Sequence, residues 1–286
     1  MKMRQDDEMQ KRERQMIRIK SNNFSLIQIS ESGQCFRLEQ IENERYALTA
    51  LDRYLELQER HGEICFFCTQ EEFEEVWREY FDLDTDYGKI IAAVDENDSY
   101  LQEASSYGSG IRILKQDLWE MMISFIISQQ NNIKRIRKCI DLLSRKYGEE
   151  KRTKEGTLYY TFPSPEKLAA ASLKDLYDCN LGYRSRYIQK TAQSVAGGEA
   201  DLKAIQSMDY QKARTELLKL CGIGEKVADC ICLFALHQLD AFPRDTHINK
   251  VLALRYPQGF PFENYQGFAG ILQQYIFYYD LHYKEK

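Results

Sequence analysis

The sequence predicts an α+β fold in which a small antiparallel β-sheet precedes a longer, mostly helical region. Residues 16–68 alternate apolar and polar side chains in short runs, the period of a half-buried strand. From residue 86 onward, apolar side chains recur at helical spacing. We therefore expect a charged extension over residues 1–15, a β-sheet domain with flanking helices over 16–100 and a helical domain over 101–286.

Composition places the chain among ordinary globular proteins. Its 286 residues are 43% hydrophobic and 29% charged, and this length can bury a substantial core. No stretch approaches the roughly 18 apolar residues of a membrane span. The charged residues 1–18 lack the apolar core of a signal peptide. We expect a cytoplasmic protein without a membrane partner.

Three runs in the first region predict strands, at residues 24–29, 46–51 and 64–67. A helix over residues 71–80 should follow, because its large apolar side chains share one stripe. These side chains are Phe73, Val76, Trp77 and Tyr80.

Helices in the second region have clear signals. Residues 118–128 are strongly apolar and predict a central buried helix, and residues 133–147 predict a basic amphipathic helix. Ser164 and Ser172 are candidate N-caps. Gly182 indicates a helix end.

The eight cysteines are scattered, and several lie in apolar runs, which indicates reduced, buried thiols. Cys65 and Cys68 form a lone CxxC with two phenylalanines between them. Because no second ligand pair accompanies it, a strand is favoured over a metal site. No cluster of four closely spaced cysteines follows Asp245, which argues against an iron–sulfur cluster.

The net charge of −5 conceals an asymmetry. Residues 71–98 contain eleven acidic and two basic side chains, whereas residues 134–154 contain nine basic and three acidic ones. A local basic surface is enough to bind phosphates, since counterion release depends on contacts. Two solvated helix faces of opposite sign would give the same pattern.

The most informative segment is residues 218–229, LKLCGIGEKVAD. Gly222 and Gly224 lie between two helical patterns, which predicts a helix–hairpin–helix at about 213–236. Glycine lets the backbone approach a ligand, and amides at the second helix's N-terminus favour an anion. Such a hairpin can bind a DNA phosphate without reading sequence. A plain helical hairpin with a glycine cap is the alternative.

Two charged residues near this turn suit chemistry at a sugar carbon. Lys226 lies in the first turn of the second helix, where the helix dipole opposes a cation and so favours a nucleophilic amine. Asp245, nineteen residues later, follows Pro243 and should cap a third helix. A carboxylate there can stabilise an oxocarbenium-like transition state. A solvated lysine and a plain cap are the alternatives; for His247 we favour a phosphate contact over a general acid or a surface residue.

With these residues, the chain resembles the 8-oxoguanine DNA glycosylase/AP lyase family of the helix-hairpin-helix superfamily. It is most similar to bacterial members of the eukaryotic-type branch. The similarity runs over about residues 24–281. Its strongest segments are residues 32–37, 125–136, 181–187, 226–233 and 269–277.

This resemblance implies a β domain packed on two helical subdomains, with the active site between them. It implies base excision through a lysine Schiff base and then β-elimination, with Lys226 as nucleophile and Asp245 as the catalytic carboxylate. The target base would be flipped out of the duplex.

For the base pocket, the resemblance assigns the Gly33 carbonyl to the N7–H that oxidised guanine has and guanine lacks. Phe277 would stack on the base, Gln273 would bind its Watson–Crick edge and Cys230 would flank it. Gln273 and Phe277 are four apart and share a face of a helix predicted over 264–281. An ordinary amphipathic helix has the same spacing.

For the DNA surface, the resemblance assigns Arg135 and Arg184 to the opposing cytosine and Tyr183 to a wedge in the base stack. Gln130, beside Asn131, stands where the family carries an asparagine that fills the space left by the flipped base. Glutamine keeps the amide of asparagine but is longer, so this position departs from the family's pattern. Phosphate binding by both arginines is the alternative to cytosine preference.

The resemblance implies double-stranded DNA containing 8-oxoguanine as partner, a monomer located with the nucleoid, and no cofactor or metal beyond a monovalent, calcium or magnesium ion at the hairpin. A related glycosylase of other lesion specificity and a non-catalytic DNA-binding module are the alternatives. Water-using members lack a lysine at the position of Lys226.

Overall fold

A computed structural model describes residues 16–283, so the extension predicted over 1–15 lies outside the described residues. Within them, a five-stranded antiparallel sheet has the order β1-β5-β4-β3-β2. The strands are β1 (Ile17–Lys20), β2 (Leu38–Glu42), β3 (Arg45–Ala50), β4 (Arg53–Arg60) and β5 (Glu63–Phe66).

Helices form most of the remainder. They are α1 (Leu26–Glu31), α2 (70–80), α3 (Tyr87–Ala92), α4 (Ser99–Tyr107), α5 (Leu118–Ser128), α6 (Ile133–Tyr147), α7 (Pro165–Ala170), α8 (Leu173–Asp178), α9 (Arg184–Ala196), α10 (Leu202–Gln206), α11 (Tyr210–Leu217), α12 (Glu225–Phe234), α13 (Thr246–Arg255) and α14 (Ala269–His282). The α+β class is confirmed.

The strand predicted over residues 24–29 is wrong, because the segment forms α1. Leu26 and Ile29 face the core at helical spacing, while Ile27 is exposed. The Leu26 amide donates to Glu59 Oε2 on β4 at 2.7 Å. A carboxylate 33 residues away therefore satisfies the first turn of the helix, and local sequence carries no sign of it.

Several helix predictions are confirmed at their bounds. Helix α5 begins after Asp117, whose side chain accepts from the Glu120 amide, and α6 is capped by Asn132. Ser164 and Ser172 cap α7 and α8 as predicted. Helix α2 is also as predicted, with a π-helical middle at residues 73–77.

Three details of the helical region differ from prediction. Residues 150–160 form a two-stranded hairpin, β6 (Glu150–Arg152) with β7 (Leu158–Tyr160). Strands of three residues are too short to show a period of two. Gly182, with φ +56°, lies in the turn before α9 and does not end a helix. The C-terminal helix begins at Ala269, because Gly267 (φ +88°) separates it from a 3₁₀ turn at Phe262–Tyr265.

Two hydrophobic cores organise the molecule. The first lies between the sheet and α1 and α2, and the second surrounds α5, of which only Ser128 is not buried. Helix α5 packs on α6, α9 and α12. Phe36, just before β2, joins the second core by an edge-on contact with Phe125 on α5, with ring centroids 5.7 Å apart. No helix within residues 16–283 is long and apolar enough to cross a membrane.

Candidate active site

The helical hairpin is present from Tyr210 to Phe234, so it begins three residues before and ends two residues before the predicted bounds of about 213–236. Its two helices are joined by Asp229, which accepts from Arg214 Nε at 2.7 Å and from the Tyr210 hydroxyl at 2.9 Å. These bonds hold α12 at a set angle to α11.

The two hairpin glycines have different surroundings. Gly222 has φ +84°, and a Cβ there would lie 2.5 Å from Tyr187 Cβ. Gly224 is the N-cap of α12, is exposed, and has no atom within 4 Å of where a Cβ would be. Gly222 thus serves protein packing, while Gly224 leaves the helix N-terminus accessible to an anion.

Lys226 is the second residue of α12 and is half-buried. Its Nζ lies 5.3 Å from the ring centroid of Phe125 on α5. Burial raises the pKa of the Cys230 thiol to about 11, against the Coulombic effect of Lys226 and a hydrogen bond from it. Cys230 is therefore a neutral thiol at neutral pH. The amine faces an aromatic ring and this thiol in a partly dehydrated site.

Asp245 caps α13 as predicted, since its Oδ1 accepts from the Ile248 amide at 2.7 Å. Burial and the charge of Asp229 raise the pKa of Cys230 more strongly, but the negative charge of Asp245 also raises it, against the lowering effect of Lys226. Lys226 and Asp245, each at the start of its helix, therefore act on a common site beside Cys230.

The proposed base-pocket residues of α14 lie beside the loop before β2. Gly33 has φ +76°, and a Cβ there would lie 3.5 Å from Phe277. Gln273 is buried and its amide nitrogen donates to the Pro243 carbonyl at 3.1 Å, two residues before Asp245. A left-handed backbone against an aromatic ring accounts for glycine at position 33.

His247 lies against the same ring. It meets Phe277 edge-on, with centroids 5.9 Å apart, and its Nε2 is 2.7 Å from Asp280 Oδ2. These contacts occupy the imidazole within the protein and brace Phe277. The predicted phosphate contact by His247 stays a prediction.

The remaining predicted DNA contacts cluster at the end of α5 and the start of α9. Gln130 is exposed with φ +46°, and Asn131 Nδ2 donates to the Ile127 carbonyl at 3.0 Å. Tyr183 is also exposed, and its ring centroid lies 4.6 Å from Arg184 Cζ. Arg135 projects from the first turn of α6 and is exposed.

Arg184 is oriented differently from the exposed Arg135. It is 3% exposed, and its guanidinium donates to the carbonyls of Gln129 and Gln130, the latter at 3.2 Å. Gln129 Nε2 in turn donates to the Gly222 carbonyl at 2.9 Å. The loop that carries Gln130 is thereby tied to both α9 and the hairpin, a role for Gln129 that spacing did not indicate.

No group of three or more histidine, cysteine or acidic side chains within the described part of the chain could hold a metal ion. All eight cysteines lie in this part and are free thiols. Cys65 is in β5, as the preference for a strand predicted.

Two family models match adjoining parts of the chain. Residues 16–122 match the N-terminal domain of 8-oxoguanine DNA glycosylase, and residues 123–257 match the HhH-GPD superfamily of base excision DNA repair proteins. An 8-oxoguanine glycosylase/lyase from Clostridium acetobutylicum is similar in structure, with 38% identity, a TM-score of 0.84, and coverage of 90% of this chain and 92% of that chain.

The chain belongs to the 8-oxoguanine DNA glycosylase family. Its curated relatives include an N-glycosylase/DNA lyase of Saccharomyces cerevisiae (37% identity over 51% of this chain) and a probable one of Methanothermobacter thermautotrophicus (33% over 66%). The chain spans 42% and 64% of the lengths of these two relatives. A 3-methyladenine DNA glycosylase of Archaeoglobus fulgidus, at 19% identity and TM-score 0.73, shares the fold.

Proposed function

We propose that this protein is a DNA glycosylase with AP lyase activity that excises 8-oxoguanine from duplex DNA. The observation that carries the proposal is the half-buried Lys226 amine beside Cys230 and Asp245. Phe277, on the C-terminal helix, lies against Gly33. In support, the Clostridium acetobutylicum relative is an 8-oxoguanine glycosylase/lyase, and its crystal contained duplex DNA with cytosine opposite 8-oxoguanine.

In this reaction the Lys226 nitrogen forms a bond to C1′ as the glycosidic bond breaks. The base leaves with the glycosidic electron pair and takes up a proton. The sugar ring then opens to a Schiff base, and loss of a C2′ proton expels the 3′ phosphate. The Asp245 carboxylate, held by its hydrogen bond from the Ile248 amide, stabilises the positive charge that develops on the sugar. The neutral amine is the reactive form.

The pocket would receive the flipped base between Phe277 and Cys230. The Gly33 carbonyl would accept from N7–H, a contact that guanine cannot make and that is worth about 1 kcal/mol. Gln273 would bind the Watson–Crick edge. Its amide nitrogen donates to the Pro243 carbonyl at 3.1 Å and its Oε1 accepts from Gln274 Nε2 at 3.3 Å, so the orientation of the Gln273 amide is fixed from both ends.

DNA would lie across α12, the loop of Gln130 and the start of α9. The open N-terminus at Gly224, with an ion at the hairpin, would bind a backbone phosphate. Tyr183 and Arg135 would meet the helix at the lesion, with cytosine preference carried by Arg135 and by any reorientation of Arg184. We propose a monomer, since the duplex supplies the partner surface, located in the cytoplasm with the nucleoid.

Borohydride trapping tests the proposal. The protein is incubated with a duplex carrying one 8-oxoguanine opposite cytosine, beside an undamaged duplex. We expect a covalent complex on the lesion duplex alone and none with Lys226→Gln. Lys212→Gln, an exposed lysine paired with Asp209, is the matched control and should trap normally.

Two outcomes would contradict the proposal. Equal trapping on both duplexes would show that the protein is not specific for 8-oxoguanine. Normal trapping by Lys226→Gln would show that Lys226 is not the nucleophile. Intact binding without trapping would instead favour a water-using glycosylase or a binding module, and a panel of other lesions would separate those two.

A further inference from the structure

The recognition loop, residues 32–37, contains Gly33 and is held by a buried amide. Gln34 is fully buried, and its Nε2 donates to the Arg112 carbonyl at 2.9 Å and to Ser32 Oγ at 3.0 Å. Its Oε1 accepts from the Leu114 amide at 2.9 Å. Both ends of this amide are therefore bonded to the connector, residues 112–116, which joins α4 to α5.

Gln116, at the end of the connector, bonds in two directions. Its side-chain Nε2 donates to the Gln34 carbonyl at 2.9 Å, and its backbone amide donates to the Phe234 carbonyl at 3.1 Å. Phe234 is the last residue of α12, whose first turn carries Lys226. One residue, 6% exposed, thus links the recognition loop to the helix of the lysine.

These bonds bear on the direction of the Gly33 carbonyl. That oxygen belongs to the planar Gly33–Gln34 peptide, so it turns only with the ψ of Gly33 and the φ of Gln34. Glycine restrains its own backbone little. The Gln34 side chain and the Gln34 carbonyl are both held, so the peptide between them has little freedom to rotate.

Apolar contacts between the same two regions do not replace this restraint. Phe36 meets Phe125 edge-on and Phe125 stacks on Phe234, with centroids 5.4 Å apart in the second pair. Such packing sets the separation of the loop and α12 but has no directional preference for a carbonyl. Hydrogen bonds, by contrast, weaken steeply away from linearity.

We propose that Gln34 and Gln116 are positioning residues for lesion specificity. They hold the Gly33 carbonyl in the direction of the N7–H of the flipped base and tie that carbonyl to the helix of Lys226. This inference rests on the proposed function. It names the residues that fix the orientation of the Gly33 carbonyl, the group proposed to distinguish 8-oxoguanine from guanine.

Equilibrium binding in a Lys226→Gln parent tests the role without turnover. The Kd is measured for duplexes carrying 8-oxoguanine, guanine or a tetrahydrofuran abasic analogue, each opposite cytosine. Gln116→Met preserves side-chain length and the backbone bond to Phe234 but removes the donor to Gln34. We expect about fivefold weaker binding to the 8-oxoguanine duplex, the equivalent of one hydrogen bond, and unchanged binding to the abasic analogue.

Gln189→Met is the matched control, because Gln189 Nε2 donates to the Ala171 carbonyl at 2.7 Å and does not touch the recognition loop. It should leave all three Kd values unchanged. Gln116→Asn, which keeps a buried amide but is too short to reach Gln34, is measured in parallel in case the methionine variant folds poorly. The abasic duplex itself reports folding.

Equal weakening on the 8-oxoguanine and abasic duplexes would overturn the positioning role, because it indicates general loss of structure. An undiminished preference for 8-oxoguanine in both Gln116 variants would also overturn it, and would leave the proposed function standing. A Lys226→Gln parent without any preference for 8-oxoguanine over guanine would overturn the proposed function as well.

Discussion

The proposed catalytic pair, Lys226 and Asp245, and the loop that carries Gln130 are positioned in opposite ways. Lys226 and Asp245 each lie at the start of a helix, within two residues of the N-cap. Gln130 lies in a left-handed conformation beyond the end of α5, and its carbonyl is held by Arg184 from α9. Helix starts are set by neighbours in sequence, whereas this loop is set by an arginine more than fifty residues away.

This difference teaches where each region is vulnerable. Replacing a proposed catalytic residue should change activity and leave its helix intact, because the hydrogen bond that caps the helix can be kept while the reacting group is removed. Replacing Arg184, which holds the loop, should first reduce stability and only then affect the proposed DNA contacts. Helix α5 joins the two regions, since Phe125 contacts Lys226 and Ser128 leads into the loop.

Asp245→Asn should give the largest effect. Asparagine caps helices as well as aspartate does, so stability should change by less than about 0.5 kcal/mol. Loss of the negative charge should lower single-turnover excision of 8-oxoguanine by about 10²–10³-fold. Asp209→Asn, the same change at the cap of α11, should leave the rate unchanged. Equal effects of the two variants would contradict the assignment of Asp245.

Arg184→Met should destabilise the fold by about 3 kcal/mol, because the buried guanidinium and its charge-assisted hydrogen bonds to the carbonyls of Gln129 and Gln130 are lost. Urea unfolding measures this. Arg135→Met, at an exposed site, should leave stability unchanged. It should reduce the slope of the logarithm of the DNA-binding constant against the logarithm of salt concentration by about one, the equivalent of one phosphate contact. The comparison between the regions would fail if Arg184→Met weakened DNA binding with no loss of stability.

A pH profile tests how firmly the shared helix α5 is held. Burial raises the pKa of Glu120 to about 7, although Arg37, 3.4 Å away, opposes the rise. The folded chain therefore binds this proton up to about pH 7 and the unfolded chain only below its ordinary value of 4.5. This group's contribution to stability thus falls as pH rises from 4.5 to 7.

Glu120→Gln removes that dependence. The natural chain should lose about 2 kcal/mol of unfolding free energy between pH 5 and pH 8 through this group, and the variant should not. The difference in unfolding free energy, variant minus natural chain, should therefore rise by that amount. Urea unfolding at both pH values measures the gain. Glu155→Gln, at an exposed glutamate, is the control, and identical pH dependence in the two variants would contradict the assignment.

The two hairpin glycines should give the smallest effects and the sharpest separation. Gly222→Ala should cost about 2 kcal/mol, because its φ is +84° and its Cβ would press on Tyr187. Gly224→Ala should change thermal stability little, since its Cβ would meet no protein atom. It should instead weaken binding to any duplex. Reversed effects would mean that Gly222 is the residue that approaches DNA.

Much of the fold could be predicted from sequence. The bounds of α5 and α6 were predictable because α5 is apolar almost throughout, α6 is strongly amphipathic, and both are capped by their own neighbours. Helix α1 was not, because its first amide bonds to Glu59 on a distant strand. The hairpin of β6 and β7 was not, since short strands carry no measurable period.

The sequence by itself determined the local positions of the proposed catalytic residues. Lys226 lies at a helix start after Gly-x-Gly, and Asp245 caps a helix through a bond to the amide three residues later. The tertiary structure alone decided what surrounds them. Phe125 beneath Lys226, Arg184 directed at the loop and the Gln116 link to Gln34 all join segments 50 or more residues apart. Such contacts form only when separate helices pack around α5, so spacing along the chain cannot reveal them.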